Sequence, residues 1–347
     1  MSSAGTGISS LKTSRILGVG SYVPPRVWTN DDIAKMMDTS DEWIRQRTGI
    51  EQRHWAAPGV DTTDLALVAA ERALESAKVK KEELDCIVFA TLSPDHDFPG
   101  GGCFLQAKLG VPGIPAIDIR QQCTGFVYGL SIADQFIRTG MYKRILVVGA
   151  EVHSRGMNRT PEGRDVAVLF GDGAGAVVVG ACEGTVGEKD SQIFSTHLHA
   201  DGAFAKELWV PAPGSAMSAD ARLTVDMVAE GKHFPHMNGK AVFVHAVKRM
   251  PEALLEALTK NGKKIEDVDL FIFHQANLRI NEMVGKQLGI PPEKIFNTIQ
   301  RFANTTAATI PIGMDEAVKA GKLKKGMLVA SAAFGSGFTW ASALLRW

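Results

Sequence analysis

Cys123 stands where a strand-like run, IPAIDIRQQ, gives way to a helical pattern with Phe126, Leu130, Ala133 and Ile137 on one face. A thiol at a helix start sees the positive end of the peptide dipoles and free backbone N–H groups, and both favour the thiolate. The same N–H groups can stabilise an oxyanion on a bound acyl group. This is the chemistry of a cysteine nucleophile. The plain alternative is a small buried core residue, a common state of a free cysteine. Cys86 lies inside a strand-like run and Cys182 follows one, so both read as packing. Cys103 opens FLQAKLG and is the one rival nucleophile.

Of nine histidines, His274 has the most telling position. It ends an apolar strand and opens HQANLRI, and strand C-termini are where α/β folds place their sites. His197 and His199 form an HxH pair with no third metal ligand nearby in the sequence. His54, His96, His153, His233, His236 and His245 lack supporting spacing. The glycine-rich stretches at Gly18 and Gly171 do not complete a dinucleotide-binding fingerprint. GDGAGA runs straight into a strand and reads as a tight turn. No metal and no redox cofactor is expected.

The elements that must position these residues alternate. Ile16–Val23, Asp85–Thr91, Arg144–Gly149, Val166–Phe170, Ala174–Val179, Asp269–Phe273 and Leu328–Ala332 read as buried strands. Thr63–Lys78, Pro251–Asn261 and Asp315–Ala320 read as helices between them. Such alternation predicts α/β architecture with covered, parallel strands. The chain also repeats itself. KKEELDCIVFATL from Lys80 parallels KKIEDVDLFIFHQ from Lys263. Cys123, Asp134, Gly140 and Lys143 recur 181 residues later as Asn304, Asp315, Gly321 and Lys324. We read a tail over 1–11 and two α/β halves, 12–184 and 185–347, with the helix starts at Cys123 and Asn304 meeting at one central site.

Composition narrows the function classes. The 347 residues carry 38 Lys plus Arg against 38 Asp plus Glu, so the formal net charge is zero. Nucleic-acid or anionic-membrane binding calls for a basic excess, and neither is expected. The apolar run Gly173–Cys182 is too short to span a bilayer, which takes about 20 residues. The polar start, MSSAGTGISSLK, has no apolar core of a signal peptide. Four scattered cysteines without CxxC point to a reducing, cytoplasmic setting.

Taken together, GSYVP, NDDIAKMMDTSDEWIRQRTGI, CTGF, LFGDGAGA, STHLHADG, FVHAVKRM, HQANLRI, ANTTAATIP and FGSGFTWASALLRW resemble the β-ketoacyl-ACP synthase III family, from Ile16 to Trp347. The resemblance implies a thiolase-like fold of five αβαβα layers made of two βαβαβαββ halves, and a homodimer. It implies a catalytic triad of Cys123, His274 and Asn304, with backbone N–H groups of Cys123 and Ser336 as an oxyanion hole. Trp43 and Arg164 match the pair that sandwiches adenine, and Arg47 matches a CoA-phosphate contact. Arg279 and Lys286 match the basic patch on which acyl carrier protein docks. Phe98 matches a residue lining the partner subunit's acyl pocket. The implied substrates are acyl-CoA and malonyl-ACP, joined with loss of CO2 through an acyl-Cys123 intermediate.

The chain departs from the common family pattern at four places: Gln121–Gln122, Ser336, Val244 and the long segment Met217–Pro235. Gly100, Gly101 and Gly102 after Phe98 are expected to leave a mobile, pared-back pocket wall, and so a primer longer than acetyl. Three other functions compete with this one. A relative in specialised biosynthesis would join the acyl chain to another acceptor. A non-decarboxylating cysteine acyltransferase would have no use for both His274 and Asn304. A non-catalytic acyl-binding scaffold would be expected to lack Cys123 or His274.

Overall fold

The structure is a computed structural model that describes residues 11–216 and 220–347. All but the last residue of the expected tail, and the first three residues of the Met217–Pro235 segment, lie outside the described residues.

Nine strands build two main sheets: β1 Ser14–Tyr22, β2 Cys86–Ala90, β3 Ala116–Ile119, β4 Arg144–Glu151, β5 Gly173–Ala181, β6 Gln192–Ala200, β7 Leu270–Phe271, β8 Leu328–Gly335 and β9 Thr339–Arg346. The helices of eight residues or more are α1 Asp41–Thr48, α2 Thr62–Ala77, α3 Gly101–Leu109, α4 Gly125–Arg138, α5 Gly239–Lys260, α6 Leu278–Leu288 and α7 Thr309–Lys319.

The first sheet runs β1-β5-β4-β2-β3, and the second β6-β9-β8-β7. In each, two antiparallel pairings are followed by a parallel one. The fifth position of the second sheet shrinks to one parallel bridge between Phe271 and Ile295. Helices α4 and α7 lie between the sheets, α2 and α3 cover the first sheet, and α5 covers the second with α6 packed on it. The result is the expected five-layered, thiolase-like αβαβα fold.

The repeat is visible in side chains as well as topology. Asp134 of α4 accepts a hydrogen bond from Ser14 of β1 and pairs with Arg138 one turn on. Asp315 of α7 accepts one from Ser21 and pairs with Lys319. The backbone repeats too, because Gln122 and Ala303, also 181 residues apart, both adopt left-handed φ of 44° and 56°.

Three expected elements differ. Val166–Phe170 is no strand, because Arg164–Ala167 forms a helical turn and only Phe170 pairs, in one bridge with Asn304. A five-residue apolar run does not separate strand from buried turn. The helix expected over Pro251–Asn261 is the second half of α5, which runs through Pro251. The helix expected at Asp315–Ala320 begins at Thr309, with Pro311 in its first turn, where a missing N–H costs little.

The three glycines after Phe98 do not form a mobile wall either. Gly101 and Gly102 open α3, and a methyl on Gly101 would meet the Phe89 ring at 2.8 Å. One on Gly100 would meet the Asp118 carboxylate at 2.2 Å, and Gly102 donates its N–H to Asp118. Close packing of helix on sheet is what these glycines permit.

A second close approach positions the site. A Cβ on Gly149, near the end of β4, would lie 2.4 Å from the carbonyl oxygen of Ala307, in the 3-10 turn before α7. Both partners are backbone, so nothing flexible can yield. Gly149→Ala is therefore expected to destabilise by about 1–3 kcal/mol and to lower activity by shifting that turn. A thermal melt of the variant with an unchanged midpoint would show that the turn is not clamped there.

Candidate active site

Cys123 sits in the 3-10 turn Gln122–Thr124, two residues ahead of α4. It is 8% exposed. Gly335, at the end of β8, presses on it so closely that a Cβ there would stand 2.7 Å from the Cys123 Cβ. Burial pushes the thiol up to about 12, and the Glu151 charge adds to the rise. The backbone N–H groups of Cys123 and Ser336 lie against the sulfur and pull the other way. Burial thus opposes the helix-start effect that favours the thiolate. A helix dipole contributes at most about 2 kcal/mol, or roughly 1.5 pKa units. Desolvation of the buried thiol outweighs it.

Ser336 fits where a glycine was expected because its backbone is not left-handed; in this turn only Gly337 is, with φ 138°. The Ser336 hydroxyl donates to the Leu208 carbonyl.

Asn304 enters from the other half. Its N–H donates to Leu169 O (2.9 Å), and its carbonyl accepts from Gly171 N–H (3.1 Å). Its side-chain oxygen accepts the N–H of Thr306 at 2.8 Å. That bond orients the amide, leaving its NH2 group as the free end beside Cys123 in a shared cavity. Thr306 holds this geometry with a left-handed φ of 51°, rare for a β-branched residue.

His274 follows β7, its N–H bonded to Ala332 O of β8. It is buried, its Nδ1 lies 2.7 Å from the Thr309 hydroxyl, and its Nε2 has no partner among the described residues. Burial lowers its pKa to about 3, so the ring is neutral at physiological pH. Thr309 and Thr306 link His274 to the turn that orients Asn304.

Two cavities meet at Cys123. One, of about 320 Å³, is lined by Trp43, Arg47, Asn277, Asn304 and Phe334. The other, of about 560 Å³, is lined by Leu92, Val152, Met157, Phe170 and Val210, with Gln122 and His153 among its polar groups. At the mouth of the first, Arg47 and Arg164 both stack on Trp43, at 4.3 and 4.6 Å from a ring centroid. Arg279 and Lys286 are exposed on α6, whose start lines this cavity. Phe98 is 81% exposed and lines neither cavity of its own chain.

This layout has known counterparts. Residues 117–202 match the family described as 3-oxoacyl-[acyl-carrier-protein] synthase III, and residues 258–347 match its C-terminal part. A β-ketoacyl-ACP synthase III of Xanthomonas campestris is 47% identical over 334 residues, covering 96% of this chain and 98% of the relative. The chain belongs to the β-ketoacyl-ACP synthase III family. One from Caldanaerobacter subterraneus is 46% identical over 332 residues, covering 96% and 97%. The crystal structure of the 3-oxoacyl-ACP synthase III from Aquifex aeolicus superposes with a TM-score of 0.86 at 42% identity, covering 96% of this chain and all of that one. Members of this family are condensing enzymes.

Several residues of this chain could not be picked out from sequence. Glu151, at the end of β4, accepts from Thr91, from the N–H groups of Leu92 and Ser93, and from the Ser93 hydroxyl. His153, which lacked supporting spacing, bonds the Thr306 hydroxyl and is lowered to about 3 by burial. The rival Cys103 is exposed on α3. His197 and His199 both face the Glu256 carboxylate, at 3.3 and 2.7 Å. Among the described residues, no group of three His, Cys, Asp or Glu is placed to hold a metal ion, and no helix is long and apolar enough to cross a membrane.

Burial raises Glu151 from 4.5 to about 7. Because the folded value is the higher one, its stabilising effect is complete below about pH 4.5 and is lost as pH rises through 7. Thermal melts from pH 4.5 to 8 should show Glu151→Gln gaining on wild type across that window. With the charge gone, iodoacetamide should also alkylate Cys123 faster in the variant at pH 8. Equal alkylation rates would detach Glu151 from the thiol.

Proposed function

We propose that this enzyme joins an acyl-CoA primer to malonyl-ACP with loss of CO2, giving 3-oxoacyl-ACP through an acyl-Cys123 intermediate. The observation that carries this reading is the cysteine at the junction of two cavities, sharing one of them with Asn304, whose amide oxygen is held by the Thr306 N–H. The Cys123 sulfur attacks the primer's carbonyl, the CoA thiolate leaves, and the thiol proton goes with it. N–H groups of Cys123 and Ser336 stabilise the oxyanion of each tetrahedral intermediate. Malonyl thioester then loses CO2, and His274 and Asn304 donate to the enolate oxygen. The enolate carbon bonds to the acyl carbon, and the Cys123 thiolate departs and takes a proton from solvent. A neutral imidazole and a neutral amide suit an oxygen on which charge only develops in the transition state. Simple acyl transfer would leave them without a task.

In this reading Trp43, Arg47 and Arg164 hold CoA by stacking and charge, and Arg279 and Lys286 receive the acidic carrier protein. The exposed Phe98 and the free edge of β3 support a homodimer in which Phe98 reaches the partner's pocket. The acyl chain occupies the larger cavity, and its volume supports a primer longer than acetyl, each buried CH2 contributing about 0.8 kcal/mol.

Cys123→Ser should abolish acylation. His274→Ala and Asn304→Ala should still acylate, but should lose condensation by about 100- to 1000-fold. Mass spectrometry of the acyl-enzyme and a condensation assay separate the two steps, and condensation at the wild-type rate in His274→Ala would overturn the role split. Acylation rates from acetyl-CoA to dodecanoyl-CoA should peak beyond acetyl. Met157→Trp, which narrows the larger cavity, should slow the longer chains about tenfold and spare acetyl. An acetyl optimum, unchanged in the variant, would assign the cavity another role.

A further inference from the structure

Resting on the enolate-binding role proposed above for His274, we propose that Thr309 is a positioning residue whose hydroxyl proton selects the tautomer of His274, keeping the ring proton on Nε2. A neutral imidazole carries one N–H. Nε2 can donate to an enolate oxygen only if Nδ1 carries no proton. Among the described residues the one polar partner of Nδ1 is the Thr309 hydroxyl, at 2.7 Å. That hydroxyl also lies 2.9 Å from the Thr306 carbonyl and has one proton to give. Given to Thr306, it forces Nδ1 to be the donor and leaves a lone pair on Nε2, which would repel an enolate. Given to His274, it leaves Nε2–H as the donor. The second arrangement leaves no buried acceptor stranded, because the Thr306 carbonyl already receives the backbone N–H of Thr309. The buried Nε2, without a protein partner, is then a donor held ready for substrate oxygen. The same turn presents the NH2 of Asn304 through the Thr306 N–H. One short segment, Asn304 to Thr309, thus turns both groups outward as donors.

The test uses the full-length enzyme with ¹⁵N-labelled histidine, and His274→Ala to mark the resonances of His274. At neutral pH the wild type should show a protonated Nε2 and an unprotonated Nδ1. Thr309→Val keeps the shape and removes the hydroxyl. It should lose that signature and about 100-fold in condensation, with Cys123 acylation within about threefold of wild type. Thr309→Ser restores the hydroxyl and should recover both signature and rate, which separates proton placement from a folding defect. A wild-type ring protonated on Nδ1, or condensation by Thr309→Val at the wild-type rate while His274→Ala is inactive, would overturn the tautomer assignment alone. Full condensation by His274→Ala would instead overturn the role on which it rests.

Discussion

The close seating of one 3-10 turn on the end of β4 is the constraint on which the site depends. Gly149 has no side chain, so the Ala307 carbonyl rests where a Cβ would otherwise be. That places Thr306, in its left-handed conformation, at the centre of three contacts: its N–H holds Asn304, its carbonyl meets Thr309, and its hydroxyl meets His153. The matching turn of the other half carries Cys123 and is itself pressed by Gly335. Two turns related by the internal repeat thereby bring Cys123 and Asn304 to the wall of one cavity. Neither half holds both groups by itself.

Burial decides the electrostatics. Burial moves Cys123 and Glu151 up and His153 and His274 down, so every one of these groups is pushed towards its neutral form. Helix position alone argues for a thiolate, but the dipole is the weaker effect once the thiol has left water. A neutral site has a use. In the proposed reaction, hydrogen-bond donors are worth more in a low-dielectric pocket, where charge appears on the substrate.

Residue types and spacing determined a good deal by themselves. Alternating strands and helices, with a constant 181-residue offset, announced a duplicated α/β fold. The same offset paired Cys123 with Asn304, because local capping, turn and helix patterns survive duplication in the sequence itself. His274 was legible as a polar residue closing an apolar strand. The boundaries of α5 and α7 were less legible, because a proline marks a helix start only when its missing N–H is unneeded there, and Pro251 lies mid-helix.

Other features arose only in three dimensions. Glu151 and Thr309 have no local signature; each matters through contacts with residues 58 to 60 and 35 positions away. The glycines after Phe98 looked like an opened pocket wall, yet the partners that require them, Phe89 and Asp118, lie on neighbouring strands. The thiol's protonation was likewise beyond local sequence, since it depends on how much water the folded chain excludes. Chemistry held in consecutive residues can be read from the sequence. Chemistry set by which distant backbone approaches, and by how dry the result is, was decided by the tertiary structure.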